Sequence, residues 1–148
     1  MNITFLPTTH DDAETLVQMR ISAMRESLER IGRFDLQRAR DRFLASFDPA
    51  WCRFIAVDGE PVGFVVAKPD DDQLALEHLY IVPEHQGKGI GSIVLDALFA
   101  DADTQAIAVK VGALRGSDSN RFYQRHGFTQ TGEAEWDIYY IRAPRKTP

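Results

Sequence analysis

Three glycines spaced two apart, in Gln86-Gly87-Lys88-Gly89-Ile90-Gly91-Ser92, form the stretch of this 148-residue chain best suited to chemistry. Glycine has no Cβ, so the backbone there can turn sharply and let a ligand come close. A helical apolar pattern starts at once behind the loop. The first amides of a helix have no partner inside it, and the helix dipole makes that end positive. Such an end holds phosphate well, and Lys88 adds a mobile positive charge.

The spacing separates the known kinds of phosphate loop. A Walker A loop needs four residues between its first glycine and a Gly-Lys-Ser/Thr, and this chain has no such run. A dinucleotide fingerprint needs G-x-G-x-x-G and an acidic residue about 20 positions later. Here the spacing is Gly87-x-Gly89-x-Gly91, and the apolar run at 106–110 ends without that acid. What remains is the pattern Q/R-x-x-G-x-G/A, matched by Gln86 to Gly91.

The elements that must position this loop follow from periodicity. Residues 3–6 are β-prone and Pro7 closes them. His10 or Asp11 can cap a helix, after which Ala13, Leu16, Val17, Ile21, Met24 and Leu28 recur at helical spacing. Gly32 breaks that pattern, and Leu36, Ala39, Phe43 and Phe47 make a second amphipathic set closed by Asp48-Pro49. Strands are predicted at 53–57, 62–67 and 74–82, with a hairpin turn at Asp58-Gly59 and another turn at Pro69 with Asp70-Asp71-Asp72. A helix over 89–102, a strand over 106–111 and a short helix capped by Ser117 or Asp118 follow. Strands at 128–132 and 136–141 close the chain, and the tail from Ala143 is expected to fray. The order is β-α-α-β-β-β-α-β-α-β-β, an α/β chain with a mixed sheet and helices on both faces.

Composition narrows the class. A chain of 148 residues without an internal repeat or a long linker reads as one domain, 1–148. The net charge of −5 argues against a general nucleic-acid binder. Cys52 is the single cysteine, which excludes an intrachain disulfide framework and a multi-cysteine metal site. The histidines His10, His78, His85 and His126 have no metal-ligand spacing, and Asp70-Asp71-Asp72 lacks the rest of a calcium loop. No metal is expected. No run of 18 apolar residues and no leader-like N-terminus occur, so a cytoplasmic protein without a membrane partner is predicted.

A second motif lies downstream, Asn120-Arg121-Phe122-Tyr123-Gln124-Arg125-His126-Gly127-Phe128. With Val82-Pro83-Glu84-His85 ahead of the glycine loop, the chain resembles the GNAT superfamily of acyl-CoA-dependent N-acetyltransferases, whose signature includes F-Y-x-x-x-G-F. The resemblance implies that fold, with central strands that splay apart. It also implies acetyl-CoA as co-substrate, its pyrophosphate on Gln86, Gly87, Lys88, Gly89, Ile90, Gly91 and Ser92, and its pantetheine arm along the backbone of Leu79, Tyr80 and Ile81. By the same resemblance an acetyl group moves to a primary amine of a small molecule or protein, by direct attack in a ternary complex.

Tyr123 looks like the family's general acid for the departing thiolate, since a phenol can donate that proton; read alone, it is a core aromatic. For the base, family position points to Glu77, the ordinary histidine pKa points to His78 on the opposite face of the strand, and neither is a third reading. The family often has an asparagine seven residues before the tyrosine. Here that position is Gly116, and Asn120 is the candidate to take over a cofactor contact, the simpler reading being that it only sits on the helix. Arg25, Glu26, Glu29, Arg30, Arg33 and Asp35 fall where the family roofs its acceptor, though a solvated face is the simpler reading. Trp136, Asp137, Tyr139 and Tyr140 could wall that pocket. Cys52, beside Trp51, reads as buried. A CoA-binding sensor of the same fold without catalysis is the alternative function, and a monomer or homodimer is expected.

Overall fold

The computed structural model describes residues 1–30, 32 and 35–146. Among these, the elements follow the predicted order: β1 (Ile3–Pro7), α1 (Ala13–Arg30), α2 (Leu36–Ser46), β2 (Cys52–Val57), β3 (Glu60–Asp70), β4 (Gln73–Ile81), α3 (Ile90–Thr104), β5 (Ala108–Leu114), α4 (Ser119–Arg125), β6 (Thr129–Glu133) and β7 (Asp137–Arg142). The seven strands hydrogen-bond in the order β1-β2-β3-β4-β5-β7-β6. β4 and β5 are parallel, with Gln73–Leu76 opposite Ala108–Val111. The β1–β2, β2–β3, β5–β7 and β6–β7 pairs are antiparallel, so the sheet is mixed as expected.

The chain divides into two compact units, Met1–Val66 with His78–Gly91, and Ala67–Glu77 with Ser92–Pro148. In the first, Asp58 and Gly59 both take positive φ (50° and 86°), the backbone a two-residue hairpin needs. Two hydrogen bonds of 2.8 and 2.9 Å between Asp58 and Asn2 tie this turn to the start of β1. α1 and α2 bury Leu16, Val17, Ile21, Ala39 and Phe43 against Cys52, Phe54, Phe64 and Val66. Each large side chain fully buried there contributes about 1.5–3 kcal/mol. A short 3-10 turn, His10–Asp12, leads into α1 with Thr9 at its N-cap, so His10 and Asp11 lie inside the turn; the Thr9 amide donates to the Asp12 carboxylate at 2.8 Å. Asp35 caps α2 by accepting from the Arg38 amide at 3.1 Å.

Gly63 is required by a close approach. A Cβ there would collide with the carbonyl oxygen of Tyr80 and lie 3.1 Å from Ile81 Cα, both backbone atoms that cannot yield cheaply. Gly63→Ala is expected to destabilise the fold by about 2–3 kcal/mol, the upper range for overpacking. Urea unfolding of the two proteins checks it.

In the second unit the core gathers Leu76, Val94, Leu95, Leu98, Phe99, Ala102, Val109, Val111, Ala113, Tyr123, Phe128 and Tyr140. Buried Arg142 chelates Asp103 at 2.8 and 3.1 Å, and its guanidinium lies 3.9 Å from the centre of the Phe99 ring. Those bonds, with one from the Arg145 amide, hold the Asp103 carboxyl down at about 2.

Most boundaries shift by a residue or more from the sequence reading, and three of the shifts have a local cause. β3 runs through Pro69 to Asp70, so the turn is Asp71-Asp72, with Asp71 at φ 54°. Proline lacks only the N–H, which a strand end need not donate. β5 begins at Ala108 rather than 106, because Ala106 turns into the left-handed region (φ 56°) while the Ile107 amide bonds back to Ala102. β1 keeps Pro7, which pairs with Arg53.

Candidate functional site

The glycine loop grows out of the end of β4. The Val82 amide donates to Val62 at 2.9 Å, fixing where the chain leaves the sheet. Pro83–His85 make a single 3-10 turn, with the His85 amide bonded to Val82 at 2.9 Å and the Gln86 amide to Pro83 at 3.2 Å. Gln86 then reaches back, its Nε2 donating to the Ile81 carbonyl at 2.8 Å, so its side chain braces the loop from within.

Gly87 and Gly89 sit at φ 77° and 81°. A Cβ at either would meet nothing within 4 Å, so glycine is needed there for the left-handed backbone and the room it leaves. Gly91 has no such φ; it belongs to the first turn of α3, after Ile90, whose side chain is buried. Gly87, Lys88 and Gly89 are exposed. The arrangement is an open, positively polarised turn at the head of a 15-residue helix, able to hold a diphosphate.

On β4, side chains alternate, so Glu77 and His78 point to opposite faces. Glu77 is exposed. The His78 ring lies 5.5 Å from the rings of both Phe43 and Tyr80, and its Nδ1 is 3.3 Å from the Tyr80 hydroxyl. Burial, with a smaller push from the charge of Arg20, holds the imidazole down at about 4. His78 is therefore neutral near pH 7 but too weakly basic to be tuned to that pH, which corrects the expectation drawn from an ordinary histidine. The unfolded chain binds its proton near 6.5, the folded chain only near 4, so this contribution to stability is present above the first value and lost as pH falls toward the second. The loss amounts to about 3 kcal/mol. His78→Phe is expected to flatten stability between those pH values, as read by urea titrations across the range.

Leu79, Tyr80 and Ile81, whose backbone is the candidate pantetheine edge, close β4 and are all half-buried. Tyr80 also packs on Phe64, at 5.5 Å between ring centroids.

In the second unit, Tyr123 on α4 is buried, its ring between Phe122 (5.5 Å), Phe128 (5.3 Å) and Tyr140 (6.4 Å). Both readings of this residue thus meet in one place, since the ring is core whatever its hydroxyl does. Asn120 makes internal bonds with its side chain. Its Nδ2 donates to the carbonyls of Leu114 and Ser117 at 2.9 and 3.0 Å, and its Oδ1 accepts from the Tyr140 hydroxyl at 2.7 Å. It ties the end of β5 to α4 and β7, holding the helix that carries Tyr123. Asp118 takes the N-cap position with no side-chain cap bond, while Ser117 Oγ donates to Leu114 at 2.8 Å.

A further pair escaped the sequence reading. Ser92, in the first turn of α3, lies with its Oγ 2.9 Å from His126 Nε2, and His126 Nδ1 is 2.7 Å from the Phe122 carbonyl. Nothing local signals this pairing of residues 34 apart.

The remaining candidates resolve simply. Arg25 pairs with Glu29 at 3.0 Å and Arg30 with Glu26 at 3.4 Å along the solvated flank of α1, while Arg33 lies outside the described residues. Tyr140 is buried and its strand neighbour Tyr139 exposed, as alternation requires, while Trp136, just ahead of β7, is exposed as well. Asp70 pairs with Lys110. Burial pushes the Cys52 thiol up to about 11, far from a reactive thiolate. Among the described residues no cluster of His, Cys, Asp or Glu could hold a metal, and no helix is long and apolar enough to cross a membrane.

The fold is a known one. PaiA N-acetyltransferase from Thermoplasma acidophilum, in complex with coenzyme A, superposes with TM-score 0.78 at 17% identity, over 97% of this chain and 99% of that one. An acetyltransferase from Thermus thermophilus gives 0.74 at 23%, over 97% of each chain. The ribosomal-protein-S18-alanine N-acetyltransferase of Escherichia coli gives 0.73 at 12%, over 99% and 97%. No curated protein matches the chain in sequence. The family model for the acetyltransferase (GNAT) domain matches residues 50–130, more than half of the chain and inclusive of both motifs. The chain belongs to the GNAT family of acetyltransferases.

Proposed function

We propose that the protein transfers the acetyl group of acetyl-CoA to a primary amine, by direct attack within a ternary complex, as one N-acetyltransferase domain spanning 1–148. The observation that carries this reading is the open turn at Gly87 and Gly89, both left-handed, leading straight into α3. The coenzyme A complex of the Thermoplasma relative supports the same choice of ligand.

Gln86, Gly87, Lys88, Gly89, Ile90, Gly91 and Ser92 form the diphosphate site, Gln86 by bracing the loop and the others through loop and first-turn amides and the exposed Lys88 ammonium. Leu79, Tyr80 and Ile81 offer backbone groups to the pantetheine arm, in the manner of an added strand. A backbone amide there can also stabilise charge growing on the acetyl oxygen. Bound acetyl-CoA supplies the activated thioester.

The other roles belong to side chains. Tyr123 gives its phenolic proton to the CoA sulfur as the carbon–sulfur bond breaks and the carbon–nitrogen bond forms. Glu77, exposed on β4, accepts the amine proton through water. Asn120 acts by positioning α4. No metal takes part. Cys52, buried and held protonated, is no acyl carrier, and such a thiol suits a reducing cytoplasm. The acidic balance of the chain favours cationic acceptors over nucleic acid.

Thiol release from acetyl-CoA against a panel of amines tests this. Release with at least one amine is expected. Tight coenzyme A binding with no release on any amine would mark a sensor instead.

A further inference from the structure

Ser92 and His126 form a hydrogen-bonded chain that ends at a backbone carbonyl. The Phe122 carbonyl can only accept, so His126 Nδ1, 2.7 Å away, carries a proton. That carbonyl lies in the last turn of α4, and the imidazole caps it. In a neutral ring Nε2 then has no proton and must accept the Ser92 hydroxyl at 2.9 Å. The Ser92 proton therefore points at His126, and only the lone pairs of Oγ face outward. In a protonated ring both nitrogens donate. The bond to Ser92 reverses, and the hydroxyl proton is released to face the other way.

Ser92 is the last residue of the anion-binding loop and lies in the first turn of α3. We propose that His126 is a positioning residue for the coenzyme: its protonation turns the Ser92 hydroxyl into a donor toward the diphosphate, so that coenzyme binding takes up a proton. The inference rests on the reading that a CoA diphosphate occupies the Gly87 to Ser92 loop.

The charged groups on the elements that carry the pair are Asp96, one turn beyond Ser92 on α3, and Arg125, next in the chain, with the Arg145 guanidinium lying against Gly127. A bound diphosphate adds two negative charges and shifts the balance toward the proton. Binding and protonation then strengthen each other by the same factor.

The test uses dephospho-CoA, because a phosphate monoester itself titrates near pH 6 and would mask the effect. Calorimetry at about pH 5.5 and about pH 8, the window in which histidines change charge, is expected to show binding about five- to tenfold tighter at the lower pH. Proton uptake should appear when buffers of different ionisation heat are compared.

His126→Gln keeps a permanent N–H toward Ser92, so its affinity should be flat with pH and near the wild-type acid value. Ser92→Ala should retain at most about a twofold dependence, from ring charge alone. Thermal unfolding confirms that each variant is folded, and should His126→Gln fail that check, wild-type proton uptake and Ser92→Ala decide. Flat wild-type affinity without proton uptake, or a full pH dependence in either variant, overturns the role of His126 and leaves the loop assignment standing. Failure of the wild type to bind either dephospho-CoA or CoA at any pH overturns the loop assignment itself.

Discussion

Gly89→Asp is expected to weaken coenzyme A binding by on the order of 100-fold or more. Gly89 sits at φ 81°, where a side chain costs roughly 1–2 kcal/mol of backbone strain. The larger part is electrostatic. A carboxylate would occupy the space that Gly89 leaves open and face a diphosphate of the same sign. A Cβ there meets nothing within 4 Å, so the protein itself has room for the new side chain and should stay folded. Calorimetry with CoA, beside a melting curve, separates the two effects. Gly89→Ala should keep the strain and lose the repulsion, so it should fall between the variant and the wild type.

Tyr123→Phe is expected to lower turnover by about 100-fold or more while leaving coenzyme affinity within about twofold, the pattern of a group that acts only in the transition state. The substitution is well isolated. The ring is buried among Phe122, Phe128 and Tyr140, and phenylalanine preserves those contacts, so packing is kept and only the hydroxyl is removed. Steady-state thiol release with the best amine of the panel gives kcat, and CoA calorimetry gives the affinity. Equal turnover would leave Tyr123 as a core aromatic and nothing more.

Much of this was legible because it was local. Gly87 and Gly89 stand where a left-handed backbone is needed, and Asp58-Gly59 stands where a hairpin turn is needed; residue type and conformation are linked within one or two positions. The order of the elements followed from periodicity for the same reason. What escaped depends on partners far apart in sequence. Asn120 could be suspected of a polar contact, but not of answering to Tyr140, 20 residues on. The Ser92–His126 pair joins two motifs read separately. His78 reads in sequence as a free histidine, and only its enclosure by Phe43 and Tyr80 reveals the depressed pKa. Pro69 reads as a strand breaker because the sequence does not show which amides a strand must donate.

A crystal structure of the protein with coenzyme A decides whether the glycine loop seats the coenzyme. The diphosphate oxygens are expected at hydrogen-bond distance, about 3 Å, from backbone amides between Gly87 and Ser92. A coenzyme bound elsewhere, with those amides facing solvent alone, would refute the assignment.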